Sequence, residues 1–210
     1  MRPLTAELAQ AAARLVVEEG LEYGAAKRQA GGARAGGRGD WPSSEEVEDA
    51  VREYLAIYCA DTQPTELRAL RSLALRWMAR LADFRPHLSG AVWRGTATRL
   101  SDVHLDLYCD DPKAMEIALI NQGVDYETGI EPSRHPGHRG EPVNVLSLAE
   151  HCVELGEAVA LHLAVRDFED LRGALKPDAR GRSWRGDASA LRRLLDAGGD
   201  AHAGNSAPLR

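Results

Sequence analysis

The stretch Gly90-Ala91-Val92-Trp93-Arg94-Gly95-Thr96-Ala97-Thr98-Arg99-Leu100-Ser101-Asp102-Val103-His104-Leu105-Asp106-Leu107 decides how this chain is read. The short apolar run Leu88 to Val92 leads into it and predicts a strand that ends at a glycine. A turn carrying Arg94, Gly95, Thr96 and Ala97 follows. Val103 to Cys109 then sets Val103, Leu105, Leu107 and Cys109 against His104, Asp106 and Tyr108. Such period-two alternation marks a strand with one buried face. Strand, glycine corner and strand together make a plan suited to phosphate. Glycine lets a ligand approach the backbone, and amide groups at a turn or helix start receive its charge. Carboxylates on every second residue of the next strand share a face, where they can hold divalent cations.

The segment resembles the signature of the nucleotidyltransferase superfamily (the DNA-polymerase-β-like fold), most closely that of its minimal bacterial members. Those read Gly-Ser, a stretch often written Arg-Gly-Thr-Ala, and then Ser-Asp-hydrophobic-Asp-Leu. Gly90, Arg94, Gly95, Thr96, Ala97, Ser101, Asp102 and Leu105 match without gaps. The direct match spans residues 90–107, and element order extends it loosely over residues 85–165. The resemblance implies a nucleotide or phosphate pocket built from Gly90, Arg94, Gly95, Thr96 and Ser101. It places Asp102, His104 and Asp106 at the catalytic position. It implies Mg²⁺ or Mn²⁺ at Asp102 and a nucleoside triphosphate as substrate or ligand, with Asp106 and Glu127 as the candidate further metal ligands of a shifted site.

The departures from that signature bear on chemistry. Ala91 stands where the family has its phosphate-contacting serine, and His104 stands at the second aspartate. The third carboxylate is expected near Pro142 to Val145, where Asn144 stands. An amide carries no charge for a cation, and imidazole is a poor ligand for a hard ion such as Mg²⁺. Asp106 would extend the row Asp102, His104, Asp106 to about 13 Å, too far to share one ion with Asp102. Glu127 or Asp125 could complete a shifted site, and a histidine-containing site would favour Mn²⁺ or Zn²⁺. Two readings follow. One is a metal-dependent transferase of a nucleotidyl group. The other is an inactive protein of the same fold that binds a nucleotide, RNA or a protein.

Outward from this segment, the first 85 residues read as helices. Leu4, Leu8, Ala12, Leu15 and Val16 recur at helical spacing up to Gly20, and a shorter helical piece runs through Lys27 and Arg28. Residues 31–42, rich in glycine and arginine, read as a flexible loop. Ser43 and Glu46 form a capping-box pattern opening a helix to about Cys59. Pro64 opens another, whose broad apolar surface (Leu67 to Leu81) makes it central. Beyond residue 86, Pro112 to Gln122 reads as helix. Val124 to Ile130, Val143 to Leu148 and Ala158 to Val165 read as strands, and Asp167 to Leu175 and Asp187 to Ala197 as helices. Residues 198–210 read as a disordered tail. Helices before strands, without strict alternation, give an α+β class: a helical region over 1–85, then a nucleotidyltransferase-like domain with a small mixed sheet and flanking helices over 86–197.

Other features carry less chemistry. His162, between Leu161 and Leu163, reads as a hydrogen-bonded structural histidine rather than a pocket residue. Arg172, Lys176, Arg180, Arg182 and Arg185 read as solvated. His135 and His138 make only a weak metal signal. Three scattered cysteines, Cys59, Cys109 and Cys152, read as free thiols rather than a disulfide framework or zinc site. There is no Gly-x-x-x-x-Gly-Lys-Ser/Thr phosphate loop. The net charge of −6 argues against a surface that grips nucleic acid throughout, though a local contact remains compatible. Without an apolar leader or long apolar run, a cytoplasmic location off the membrane is expected.

Overall fold

The computed structural model describes residues 3–32, 41–132, 142–174 and 181–203. His135, His138, Lys176 and Arg180 lie outside them, as do parts of the expected loop and tail. The chain divides into two compact units. One comprises Met1–Leu67 with Thr96–Ser101, and the other Arg68–Gly95 with Asp102–Arg210. The division falls inside the helix that spans Gln63–Arg80.

The first unit contains α1 (Pro3–Glu19), α2 (Tyr23–Gly31), α3 (Ser44–Tyr58) and the start of α4 (Gln63–Arg80). Ala12, Ala13, Val16 and Val17 of α1 meet Ala26 of α2 and Val47, Val51 and Leu55 of α3 in one core. Alanines on α1 let the helices approach closely while the larger side chains fill the seam. Both bonds of the capping box form: Glu46 N–H donates to Ser43 Oγ at 3.1 Å, and Ser43 N–H to Glu46 Oε2 at 2.8 Å. Residues 96–101 are bound into this unit. Gln63 Nε2 donates to the Ala97 carbonyl at 2.9 Å, and Arg99 N–H to Glu66 Oε2 at 3.0 Å.

The second unit is α+β. Its sheet contains β1 (His87–Ser89), β2 (Val103–Tyr108), β3 (Glu127–Pro132), β4 (Pro142–Cys152), β5 (Glu157–Arg166) and β6 (Arg185–Gly186). The order is β3-β4-β5-β2-β1-β6, with β2 and β5 parallel and the other pairs antiparallel. Helices α5 (Gly90–Arg94), α6 (Pro112–Asn121), α7 (Leu171–Ala174) and α8 (Ala188–Ala203) complete the unit. The backbone of α8 therefore continues past Ala197 into the segment expected to be a tail.

The apolar run Leu88 to Val92 is not one strand. β1 ends at Ser89, and Gly90, at φ +70°, turns the chain into the short helix α5. Gly95, at φ +80°, closes that helix in the left-handed conformation that glycine adopts freely. Arg71 of α4 donates to the Val92 and Trp93 carbonyls at 3.1 and 3.3 Å, satisfying the end of so short a helix. Arg68 donates to the Leu195 carbonyl of α8, Arg76 pairs with Glu154 at 2.8 Å, and Arg80 donates to Gln122 at the end of α6. Leu70, Leu73, Ala74, Trp77 and Met78 of α4 are buried. The helix read as central thus binds several elements of the sheet unit.

Register gives the sheet two unlike faces. Val103, Leu161 and Leu148 lie side by side, as do Leu88, Leu105, Leu163 and Leu146, and all are buried. The opposite face carries Ser147, His162, His104 and Ser89 in one row, and Ala164, Asp106 and His87 in the next. On the leucine face, where Gly186 pairs with Leu88, Trp93 of α5 lays its ring over Gly186, and its Nε1–H donates to the Ser183 carbonyl at 2.9 Å. A Cβ at Gly186 would stand 2.0 Å from Trp93 Cη2. Gly186→Ala is therefore expected to displace Trp93 and lower stability by about 1–3 kcal/mol. A thermal melt checks this, and an unchanged midpoint would contradict the packing.

Candidate functional site

The polar face of β2 is built by alternation from the Ser101-Asp102-Val103-His104-Leu105-Asp106 run. Parallel pairing with β5 sets His104 beside His162, and their rings stack with centroids 4.9 Å apart. His162 Nε2 lies 3.2 Å from Asp102 Oδ2, and its Nδ1 lies 2.9 Å from Ser147 Oγ on β4. A carboxylate only accepts, so His162 Nε2–H donates to Asp102 and the Ser147 hydroxyl donates to Nδ1. Asp102, His104 and His162 each offer one ligand atom, all within 4.8 Å of one another. Asp102 has 47% of its side chain exposed and His162 22%, so the group opens to solvent.

Gly90 is part of this construction in an unexpected way. The place its Cβ would occupy lies 3.3 Å from His104 Cδ2, so its bare backbone is filled by the histidine ring. The guanidinium of Arg94 stacks on Trp184, 4.3 Å from the ring centroid. Thr96 and Ser101 belong to the first unit. Thr96 is buried with its hydroxyl 3.2 Å from that of Tyr23, and Ser101 Oγ accepts from Thr98 N–H at 3.0 Å.

The structure brings Asp102 and His104 together but sets Asp106 and Glu127 apart from them. Asp106 is buried. Its Oδ1 accepts from Arg166 Nε at 2.5 Å, and its Oδ2 pairs with Arg185 at 3.1 Å. Arg185 also donates to the Tyr108 hydroxyl at 2.8 Å. Burial, and then the nearby Asp106 carboxylate, push the Tyr108 phenol upward. For Arg185 burial acts downward, but the pull of Asp106 and Tyr108 outweighs it and the net direction is up. Arg185, expected in solvent, is thus an interior cation. Glu127 shares the row of Ser147, His162 and His104, but stands exposed two strands from His162, roughly 10 Å away. Asp125 precedes β3 and is exposed. Asn144 pairs with Val165, which puts it on the leucine side of the sheet rather than with the histidines.

Three donors, two of them imidazole nitrogens, do not fit Mg²⁺, which takes oxygen ligands in a near-ideal octahedron. They fit a borderline transition-metal ion. Ser147, His162 and Asp102 also follow the nucleophile, base and carboxylate order of serine hydrolases. However, the serine sits on Nδ1 and the aspartate on Nε2, the reverse of that arrangement.

His162 and Ser147 had weak signals in the sequence. Alternation places each on a strand face, but only the β2–β5 pairing makes His162 a neighbour of His104. Compared with known proteins, the chain matches no family model and no curated protein. Among the described residues, no helix is long and apolar enough to cross a membrane.

Asp106→Ala would leave Arg166 and Arg185 buried without their carboxylate. A loss of about 3–5 kcal/mol in urea unfolding is expected. A change within about 0.5 kcal/mol, the range of surface substitutions, would show that the pairing carries little.

Proposed function

We propose that this chain is a nucleotidyltransferase-like protein that binds a nucleoside triphosphate together with a divalent cation gathered by Asp102, His104 and His162. The observation that carries the reading is the meeting of these three side chains just beyond the β1–α5 corner that Gly90 turns. The sequence match over residues 90–107 supplies the nucleotide, and the donor group supplies a place for a cation. When bound, the cation would offset the negative charge of the phosphates. Asp102 would orient toward it from the mouth of the strand, while Ser147 holds the His162 ring in position. Arg94, at the end of the corner helix, adds a positive charge nearby in sequence.

Transfer of a nucleotidyl group is the activity the resemblance implies. Two-ion transfer draws on several carboxylates around the reacting phosphate. Here Asp106 is taken by two arginines and Ala91 replaces the phosphate-contacting serine. These observations favour the second reading, a nucleotide-binding protein without turnover.

Calorimetric titration of the full chain with a nucleoside triphosphate, with and without Mn²⁺ or Zn²⁺, tests both. Binding that needs the cation and falls at least tenfold in Asp102→Ala is expected. Equal binding without cation, or in the variant, would remove the reading. Release of pyrophosphate under the same conditions would assign turnover; its absence would leave the binding role.

A further inference from the structure

We propose that Asp102, His104 and His162 form a one-ion centre selective for a transition metal of the Zn²⁺, Co²⁺ or Mn²⁺ kind over Mg²⁺, with Ser147 as its positioning residue. This deepens the reading above, from which it takes the presence of a cation, but it makes a claim about the ion alone.

Three observations carry it. The first is donor chemistry: two nitrogens and one oxygen suit borderline ions, and Mg²⁺ surrenders its water shell to nitrogen reluctantly. The second is spacing. Metal–ligand distances of about 2.0–2.1 Å place tetrahedral donors about 3.4 Å apart. The donors here lie within 4.8 Å, and the His162 Nε2 to Asp102 Oδ2 distance is already 3.2 Å. Asp102 and His162 are thus at ligand spacing, and a small inward turn of His104 completes three corners. Asp102 is half-exposed, so water can take the remaining corner. Such an open fourth position is how catalytic rather than structural sites of this type are arranged.

The third observation is the support behind the ligands. A ligating histidine presents one nitrogen to the ion and hands its other nitrogen to a partner that fixes ring and tautomer. Ser147 Oγ is that partner for His162 Nδ1. With no ion bound, Nε2 carries the proton and donates to Asp102. With an ion on Nε2, the proton resides on Nδ1 and Ser147 accepts it. A hydroxyl both donates and accepts, so Ser147 serves either tautomer without moving. His104 is steadied differently. Its ring lies between His162 on one side and the bare Gly90 backbone on the other.

The probe is the metal alone, without nucleotide. Purified full-length chain is titrated with Zn²⁺, Mn²⁺ and Mg²⁺ against a chromophoric chelator, and with Co²⁺ while its visible absorption is read. One Zn²⁺ per chain is expected, at least a hundredfold tighter than Mg²⁺, with Co²⁺ giving the intense bands of a low-coordinate site. His104→Gln and His162→Gln should each weaken Zn²⁺ at least a hundredfold, with circular dichroism confirming that they stay folded. Ser147→Ala should weaken it about 10–100-fold and shift the Co²⁺ bands, which a merely structural serine would not. Mg²⁺ binding as tightly as Zn²⁺, or a Zn²⁺ ion retained in both histidine variants, would overturn the proposal. Should a variant unfold, an unchanged Co²⁺ spectrum in Ser147→Ala alone would overturn it. Zn²⁺ held without nucleotide affinity supports this centre while removing the nucleotide reading; nucleotide binding supported by Mg²⁺ alone does the reverse.

Discussion

β2 and β5 run in the same direction, and their register sets Leu105 beside Leu163 and His104 beside His162. The side-chain period of a strand is two, so a slip of one residue would send every leucine to the polar side and every histidine into the core. Burying Val103, Leu105, Leu107, Leu161 and Leu163 opposes that slip, at about 1.5–3 kcal/mol for each fully buried side chain. The position of the candidate site is therefore held by apolar packing on the other face of the sheet. Parallel neighbours need a long crossover, which here contains α6, β3 and β4.

The polar face then divides along β2 into two ends with different chemistry. At the Asp102 end the groups are half-exposed, rich in nitrogen donors and supported by Ser147. Four residues beyond Asp102, Asp106 is buried between Arg166 and Arg185, with Tyr108 completing the set. Carboxylates on one face of the chain, two repeats of the pleat apart, thus take opposite roles. Burial and two guanidinium groups commit Asp106 to the interior, while exposure leaves Asp102 able to meet an ion. A charge removed from the interior end is costly because its partners remain buried.

Much of this was legible in the sequence, and the remainder was hidden for physical reasons. Local signals did well: the Ser43–Glu46 capping box, the breadth of the apolar surface of α4, and the alternation of Val103 to Cys109 all concern neighbours in sequence. The α+β class followed from element order. Gly90 marks the turning point in the sequence, but the helix it opens does not show there, because five residues give no periodicity. Long-range pairing was the main gap. His162, Ser147 and Arg166 enter the site region only through the strand order β4-β5-β2. Nothing near Arg185 in sequence distinguishes it from solvated arginines, since the carboxylate that holds it lies 79 positions earlier, at Asp106. The resemblance implies carboxylates, and so points to Glu127 and to the position that Asn144 occupies. The sheet instead supplies nitrogen donors from β2 and β5.

The central claim is that one ion sits among Asp102, His104 and His162. Anomalous diffraction at the zinc edge from crystals soaked in Zn²⁺ measures this most directly. The account predicts a single peak about 2.0–2.2 Å from an Asp102 oxygen and a nitrogen of each histidine, with His162 Nδ1 still against Ser147. A peak at Asp106 or Glu127, or none on this face of the sheet, would contradict it.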